Sequence, residues 1–213
     1  MKRIVVLISG SGSNLQAIID GCSSGGIPGK IEAVISNKAS AFGLERANTA
    51  GIATSVIDHK EFADRESFDE ALLAAVQSYQ PDLVILAGFM RILTPHFIAP
   101  LLGKIINIHP SLLPKYTGLH THQRAIDAGE SEAGATVHFV TEELDGGPPV
   151  IQASVPILEG DDASLLASRV LQQEHKIFPL AAKWFCEGRL SLNNGKALLD
   201  GKILPNSGYT FND

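Results

Sequence analysis

The stretch "MKRIVVLISGSGSNLQAIIDGC", residues 1–22, decides how the chain is to be folded. Ile4 to Ile8 is an unbroken Val, Ile and Leu run, the composition of a strand buried on both faces. Gly10 and Gly12 follow, and then a helical pattern from about Asn14 to Cys22. A strand, a tight glycine turn and a helix in this order make the first part of a βαβ unit. The basic residues ahead of the apolar run imitate a secretory signal, but the run is shorter than an h-region. A first strand is the better reading.

The same rhythm continues outward from this unit. "IEAVIS" (31–36) precedes a helix near 41–50, which Gly51 can close, and "TSVID" (54–58) precedes a longer helix from Arg65 to Tyr79. Asp64 is placed to cap that helix. "DLVILAG" (82–88) leads to a short helix near 94–102, and "KIINIHPSLLP" (104–114) supplies a fifth strand. After His109 come a loop with two prolines and a short helix at 121–128. The strands "ATVHFV" (135–140) and "PVIQASVPI" (149–157) follow, then a long helix from about 163 to 187. The tail "LSLNNGKALLDGKILP" reads as a small hairpin. The expected fold is therefore α/β: one domain over 1–213, doubly wound on a mostly parallel, Rossmann-like sheet, with a small C-terminal hairpin.

The chain has 213 residues, 45% of them hydrophobic, enough for one such domain with a full core. A formal net charge of −6, with no run of Lys or Arg, argues against nucleic acid as a partner. Two cysteines, Cys22 and Cys186, make neither a disulfide framework nor a zinc cluster. No segment approaches the roughly 20 apolar residues that cross a bilayer, so a soluble, cytoplasmic protein without a membrane partner is expected.

Five groups of residues could carry chemistry. "SGSGSN" (9–14) sits between a strand and a helix, where glycines and unpaired N–H groups suit a phosphate. It fails as a dinucleotide fingerprint because Leu15 stands where glycine is needed. The bland reading is a tight turn with Ser13 as N-cap. Asn107 and His109 lie two apart on a strand and so share a face at its carboxyl end, where an amide can donate to an oxyanion and a histidine can move a proton. A buried, satisfied histidine is the bland alternative. Asp145, in "EELDGGPPV", reads first as turn chemistry. If its loop folds over the fifth strand, it could pair with His109 and favour the protonated ring. His120 and His122 form a His-x-His, but at a helix start they do not share a face, and no Cys or carboxylate stands at ligand spacing, so no metal is expected. On the long helix, Leu166, Val170, Ile177, Leu180, Ala181 and Trp184 make an apolar stripe. Gln173 extends it and Glu174 borders it, either as an edge facing water or as groups meeting a ligand.

"NIHPSLLPKYTGLHTH" (107–122), "VHFVTEELDGGPPVIQ" (137–152), "LISGSGSNLQAIID" (7–20) and "AGFMRIL" (87–93) together closely resemble the folate-dependent glycinamide ribonucleotide transformylases. The likeness runs from residue 3 to the tail. It implies that Asn107, His109 and Asp145 form a catalytic trio, and that Gly12, Ser13, Asn14, Gln173 and Glu174 hold the phosphate and ribose of the ribonucleotide. It further implies that Met90, Arg91, Ile92 and Leu93, with Thr141, Glu142, Glu143 and Leu144, wall a folate pocket. Arg65 would lie near the folate tail, with His120, Thr136 and His138 in support. The co-substrate would be 10-formyltetrahydrofolate, without a metal, and the protein a monomer or weak homodimer. Residues 1–100 would form the ribonucleotide half and 101–213 the folate and catalytic half. Two departures, Thr117 where the pattern has Pro and Leu171 where it can have Gln, leave the trio untouched.

Three rivals are weighed against this. A formyltetrahydrofolate hydrolase resembles the trio but carries an extra N-terminal regulatory domain, for which a first strand at residue 3 leaves no room. A methionyl-tRNA formyltransferase needs a further C-terminal domain and a basic surface. A non-catalytic nucleotide-binding module would be favoured by loss of a trio member, and all three are present.

Overall fold

The computed structural model describes residues 1–212, so Asp213, the last residue of the expected domain, lies outside the described residues. Eleven strands and six α-helices follow in chain order: β1 (Lys2–Ile8), α1 (Ser13–Ser23), β2 (Gly29–Ser36), α2 (Gly43–Thr49), β3 (Ala53–Val56), α3 (Arg65–Ser78), β4 (Leu83–Leu86) and α4 (Pro95–Ile98) come first among the described residues. Then come β5 (Ile105–His109), α5 (Thr121–Asp127), β6 (Glu132–Phe139), β7 (Pro149–Pro156), α6 (Ala163–Cys186), β8 (Leu190–Asn193), β9 (Lys196–Leu199), β10 (Lys202–Ile203) and β11 (Tyr209–Thr210).

Among the described residues, one sheet takes eight strands in the order β11-β7-β6-β5-β4-β1-β2-β3. From β3 across to β5 every pairing is parallel. β6 is antiparallel to both β5 and β7. The sheet is thus mostly parallel with helices on both faces. The alternation of β1 shows why: Ile4, Val6 and Ile8 join the core cluster containing α1 and α6, whereas Val5 and Leu7 join the one containing α3 and α4. Side chains at successive strand positions point to opposite faces, so a strand covered on both sides must be apolar throughout.

Local chemistry sets the element ends. Asp64 accepts from Ser67 N at 2.8 Å and caps α3, and Asp162 does the same for α6 through Leu165 N. Gly51, at φ 70, follows the end of α2 in the left-handed conformation expected of it. Three details differ from the sequence reading. Ser13 is the first helical residue and not the cap of α1. Gly12 caps instead, at φ 73, because a Cβ there would lie 2.6 Å from Gly43 Cα on α2. The helix near 94–102 is α4 followed by a 3₁₀ turn at Ala99–Leu101, since Pro100 supplies no backbone donor. The tail is a three-stranded antiparallel sheet, β10-β9-β8, and β11 leaves it to run parallel to β7 in the main sheet. Among the described residues, no helix is long and apolar enough to cross a membrane.

Candidate active site

A cavity of about 540 Å³ opens beyond the carboxyl ends of β1, β4 and β5, beside the point where the strand order reverses. Ligand crevices of open α/β sheets lie at that point. Asn14, Met90, Asn107, His109, Asp145 and Glu174 line it, so both halves of the chain contribute. Met90, Ile92, Leu119 and Leu144 are exposed large apolar side chains around the cavity.

β5 delivers Asn107 and His109 to this space. The antiparallel register sets His138 directly across from Asn107, and Thr136 across from His109. Asp145 reaches His109 from the β6–β7 loop, its Oδ2 3.5 Å from Nδ1, with both side chains buried. The loop reaches over because Asp145 takes a left-handed turn at φ 52 and its Oδ2 accepts the Gly118 N–H at 2.8 Å. Gly147 allows the close return of the chain, where any Cβ would collide with the carbonyl oxygen of Phe139. On its other side, His109 Nε2 lies 2.9 Å from the carbonyl oxygen of Tyr116. An acceptor oxygen thus stands near each ring nitrogen, and the Tyr116 carbonyl, which can only accept, takes an N–H from Nε2.

His138 has the opposite character. Burial lowers its pKa, and its Nδ1 lies 2.9 Å from the Phe139 carbonyl oxygen, which can only accept. The ring is therefore neutral with its proton on Nδ1. The bare Nε2 then accepts from Asn107 Nδ2 at 3.2 Å, and Asp145 Oδ1 at 3.9 Å is too far to compete. One N–H of the Asn107 amide is fixed by this bond and the second remains for the cavity.

At the opposite wall, Asn14 Nδ2 donates to Glu174 Oε2 at 2.7 Å. Burial raises the Glu174 pKa in spite of that bond, and Asn14 Oδ1 is buried without a partner among the described residues. Both groups hold polar capacity in reserve at a cavity wall, next to the first turn of α1 with its unpaired N–H groups.

Other expected residues fall at varying distances. Arg91 lines the cavity and a neighbouring cleft that Leu93, Thr141, Glu142 and Glu143 share. Gly12 and Ser13 form the turn into α1 without lining the cavity, as does Gln173 on α6. Arg65 is exposed in the first turn of α3, also outside the lining. His120 lines the rim. Thr136 does not present a hydroxyl to the cavity. Its Oγ1 donates to Ser111 O and accepts from Leu113 N and Gln152 Nε2, so it holds the loop after β5. Sequence reading gave no site role to His122, whose buried Nδ1 has no partner among the described residues and whose pKa burial lowers. Its position two after His120 was the available signal. Tyr116 was missed as well, because its contribution is a backbone carbonyl that carries no side-chain signature.

Residues 2–182 match the family model described as formyl transferase. The chain is 54% identical over 211 residues to the phosphoribosylglycinamide formyltransferase of Escherichia coli (strain K12), covering 99% of this chain and 100% of that protein. It is 56% identical over 209 residues to the Haemophilus influenzae protein of the same name, covering 98% and 99%. A solved structure of phosphoribosylglycinamide formyltransferase from Coxiella burnetii superposes with a TM-score of 0.94 at 50% identity, covering 99% of each chain. Motif, sheet order and likeness agree, and the chain belongs to the formyl transferase family.

Proposed function

We propose that the protein transfers the formyl group of 10-formyltetrahydrofolate to the amine of glycinamide ribonucleotide, a step of de novo purine synthesis. The observation that carries this reading is the meeting of Asn107, His109 and Asp145 at one cavity wall, opposite a helix N-terminus suited to phosphate. The ribonucleotide phosphate would rest on Gly12, Ser13 and Asn14, with Glu174 and Gln173 toward the sugar. The folate would lie between Met90–Leu93 and Thr141–Leu144, where the exposed apolar side chains of Met90, Ile92 and Leu144 stand beside a cleft. Arg65, exposed on α3, would act only on a tail reaching into solvent. The ribonucleotide and folate halves are then a division of strands β1–β4 from β5 onward, with Met90–Leu93 and Glu174 crossing it.

The chemistry is acyl transfer. The amine nitrogen bonds to the formyl carbon, and the formyl oxygen becomes an oxyanion. The bond from that carbon to N10 then breaks as N10 takes a proton, and the amine loses one. Asn107 would donate its free amide N–H to the oxyanion, and His109 an N–H from its doubly protonated ring. Asp145 would hold that ring oriented and charged, and help pass the proton from amine to N10. In this structure His109 Nε2 lies 2.9 Å from Tyr116 O, so that bond would have to open for this N–H to meet the oxyanion. The relay needs no metal. Both substrates are small molecules, and the protein would work in the cytoplasm as a monomer or weak homodimer.

The test is folate product formation, followed by absorbance, from 10-formyltetrahydrofolate with and without glycinamide ribonucleotide. Turnover only with the ribonucleotide is expected. Equal turnover without it would mean a hydrolase and would remove the phosphate roles of Ser13 and Glu174.

A further inference from the structure

Residues 90–94 cross the cavity wall without belonging to a helix or strand, yet both ends of this segment are tied down by buried side chains from elsewhere. At one end Met90 N donates to Ser9 Oγ at 2.8 Å. At the other, Thr94 N donates to Asp69 Oδ2 at 2.5 Å. Ser9 is 5% exposed and Asp69 is fully buried.

The Ser9 hydroxyl is itself held. It donates to Asn37 Oδ1 at 2.6 Å, so it accepts from one neighbour and donates to the other, with both partners fixed. Asn37 is 1% exposed at the end of β2, and its Nδ2 lies 3.2 Å from His59 Nδ1. The amide orientation follows from satisfaction: turned over, it would leave the buried Ser9 proton without an acceptor. His59 also stands edge-on to Phe68 at 6.4 Å, and Phe68 carries the Arg91 guanidinium over its ring at 5.6 Å. Two routes from outside the cavity therefore meet on the same wall, one through Asn37 and Ser9 to Met90, one through Phe68 to Arg91. Ser9 itself lies ahead of Gly12, Ser13 and Asn14, the residues given above to the ribonucleotide phosphate.

We propose that Ser9 and Asn37 at one end, and Asp69 at the other, are positioning residues that hold the Met90–Leu93 wall in the conformation that receives the folate co-substrate. The inference rests on the folate reading given above and deepens it. None of the three side chains lines the cavity, so their effect reaches the folate only through the wall. An irregular segment without ladder bonds of its own keeps one conformation only if its ends are fixed, and a wall free to move loses affinity by the cost of ordering it again.

The experiment is steady-state kinetics with both substrates, plus calorimetric titration with 10-formyltetrahydrofolate, on wild type, Ser9→Ala, Ser9→Thr, Asp69→Leu and Asp69→Asn. Loss of one buried hydrogen bond to a hydroxyl corresponds to about fivefold to tenfold in binding, and loss of one to a carboxylate to at least that. Ser9→Ala and Asp69→Leu should raise the folate KM and Kd by that much, and by clearly more than they change kcat or the ribonucleotide KM. Ser9→Thr keeps a hydroxyl and Asp69→Asn keeps an acceptor oxygen, so both should restore much of the affinity. Should Asp69→Leu fail to fold, Ser9→Ala with its threonine control decides alone, since it removes a single oxygen. Unchanged folate binding in Ser9→Ala, or equal shifts in kcat and both KM values, would overturn the proposal. Failure of the wild type itself to bind 10-formyltetrahydrofolate would overturn the folate reading instead.

Discussion

Strands β1 and β5 flank β4 and end at one cavity, yet they bring different things to it. β1 is apolar from Ile4 to Ile8, fully buried, and passes into a turn whose useful groups are backbone N–H donors. β5 carries its polar groups within the strand, at Asn107 and His109, with His138 and Thr136 across from them on antiparallel β6. A strand between two parallel neighbours has no polar side chain to spare, so it binds through the loop beyond it. A strand with an antiparallel partner receives side chains returning from the active end. On the function proposed above, the first region would bind and the second react.

The sharpest way to break this division is at Asp145. Asp145→Asn keeps the shape and removes the charge beside His109. We expect kcat to fall by about 10² to 10³ and the pH–rate profile to move as well as drop. An unshifted profile with little loss of rate would take Asp145 out of the reaction.

Glu174 tests the binding side. Glu174→Gln should raise the ribonucleotide KM about tenfold with kcat nearly unchanged. It also has a stability signature. Burial raises the folded-state pKa, so the folded protein holds this proton where the unfolded chain has lost it, and wild-type stability falls as pH rises through that window. The glutamine variant should therefore gain on wild type in urea unfolding as pH rises above the ordinary glutamate range of about 4.5. A constant difference would mean that Glu174 is better solvated than its 7% exposure indicates.

Thr136→Val separates support from chemistry. Its hydroxyl makes three bonds to the loop after β5 and beyond, and removing it leaves buried backbone groups unpaired, at a cost of about 1–3 kcal/mol. Urea midpoints should fall accordingly, and the rate should fall without a shift in its pH profile. A shifted profile would place Thr136 among the titrating groups.

The smallest effect is spread over three rings. Burial lowers the pKa of His122, His138 and His175. Below the ordinary histidine range of about 6.5 the unfolded chain takes up protons that these rings refuse, so stability should decline as pH falls through 6.5, before carboxylates titrate. Unfolding midpoints at pH 7.5 and 5.5 on Glu174→Gln, which lacks the opposing carboxyl, measure this, and equal midpoints there would contradict it. His122→Gln should reduce the decline.

The two regions also differ in how openly they could be read. The strands β1, β2, β4 and β5 stand out by their Val, Ile and Leu runs, and the alternation that splits Ile4, Val6 and Ile8 from Val5 and Leu7 is present in the residues themselves. Asn107 and His109 are legible because their spacing puts them on one face of a strand. Thr136 is not, since a hydroxyl spent on Ser111 O and one turned to a cavity look the same in sequence. Nor is the neutral tautomer of His138, which the Phe139 carbonyl and burial decide. Gly12 caps α1 because Gly43, far along the chain, comes within 2.6 Å of where a Cβ would stand, and no local pattern carries that. β11 is two residues long and pairs with β7, so it leaves no periodic trace. Local elements follow from short-range pattern, and whatever depends on a distant neighbour waits for the fold.

The measurement that decides the division between binding and reacting ends is a pair of full kinetic analyses, His109→Gln at the end of β5 and Asn14→Ala beyond β1, with both substrates varied. His109→Gln should lower kcat by about 10³ with both KM values within about threefold. Asn14→Ala should raise the ribonucleotide KM about tenfold and leave kcat near wild type. If His109→Gln acts mainly on KM, or Asn14→Ala mainly on kcat, the two strand ends do not divide the work as described.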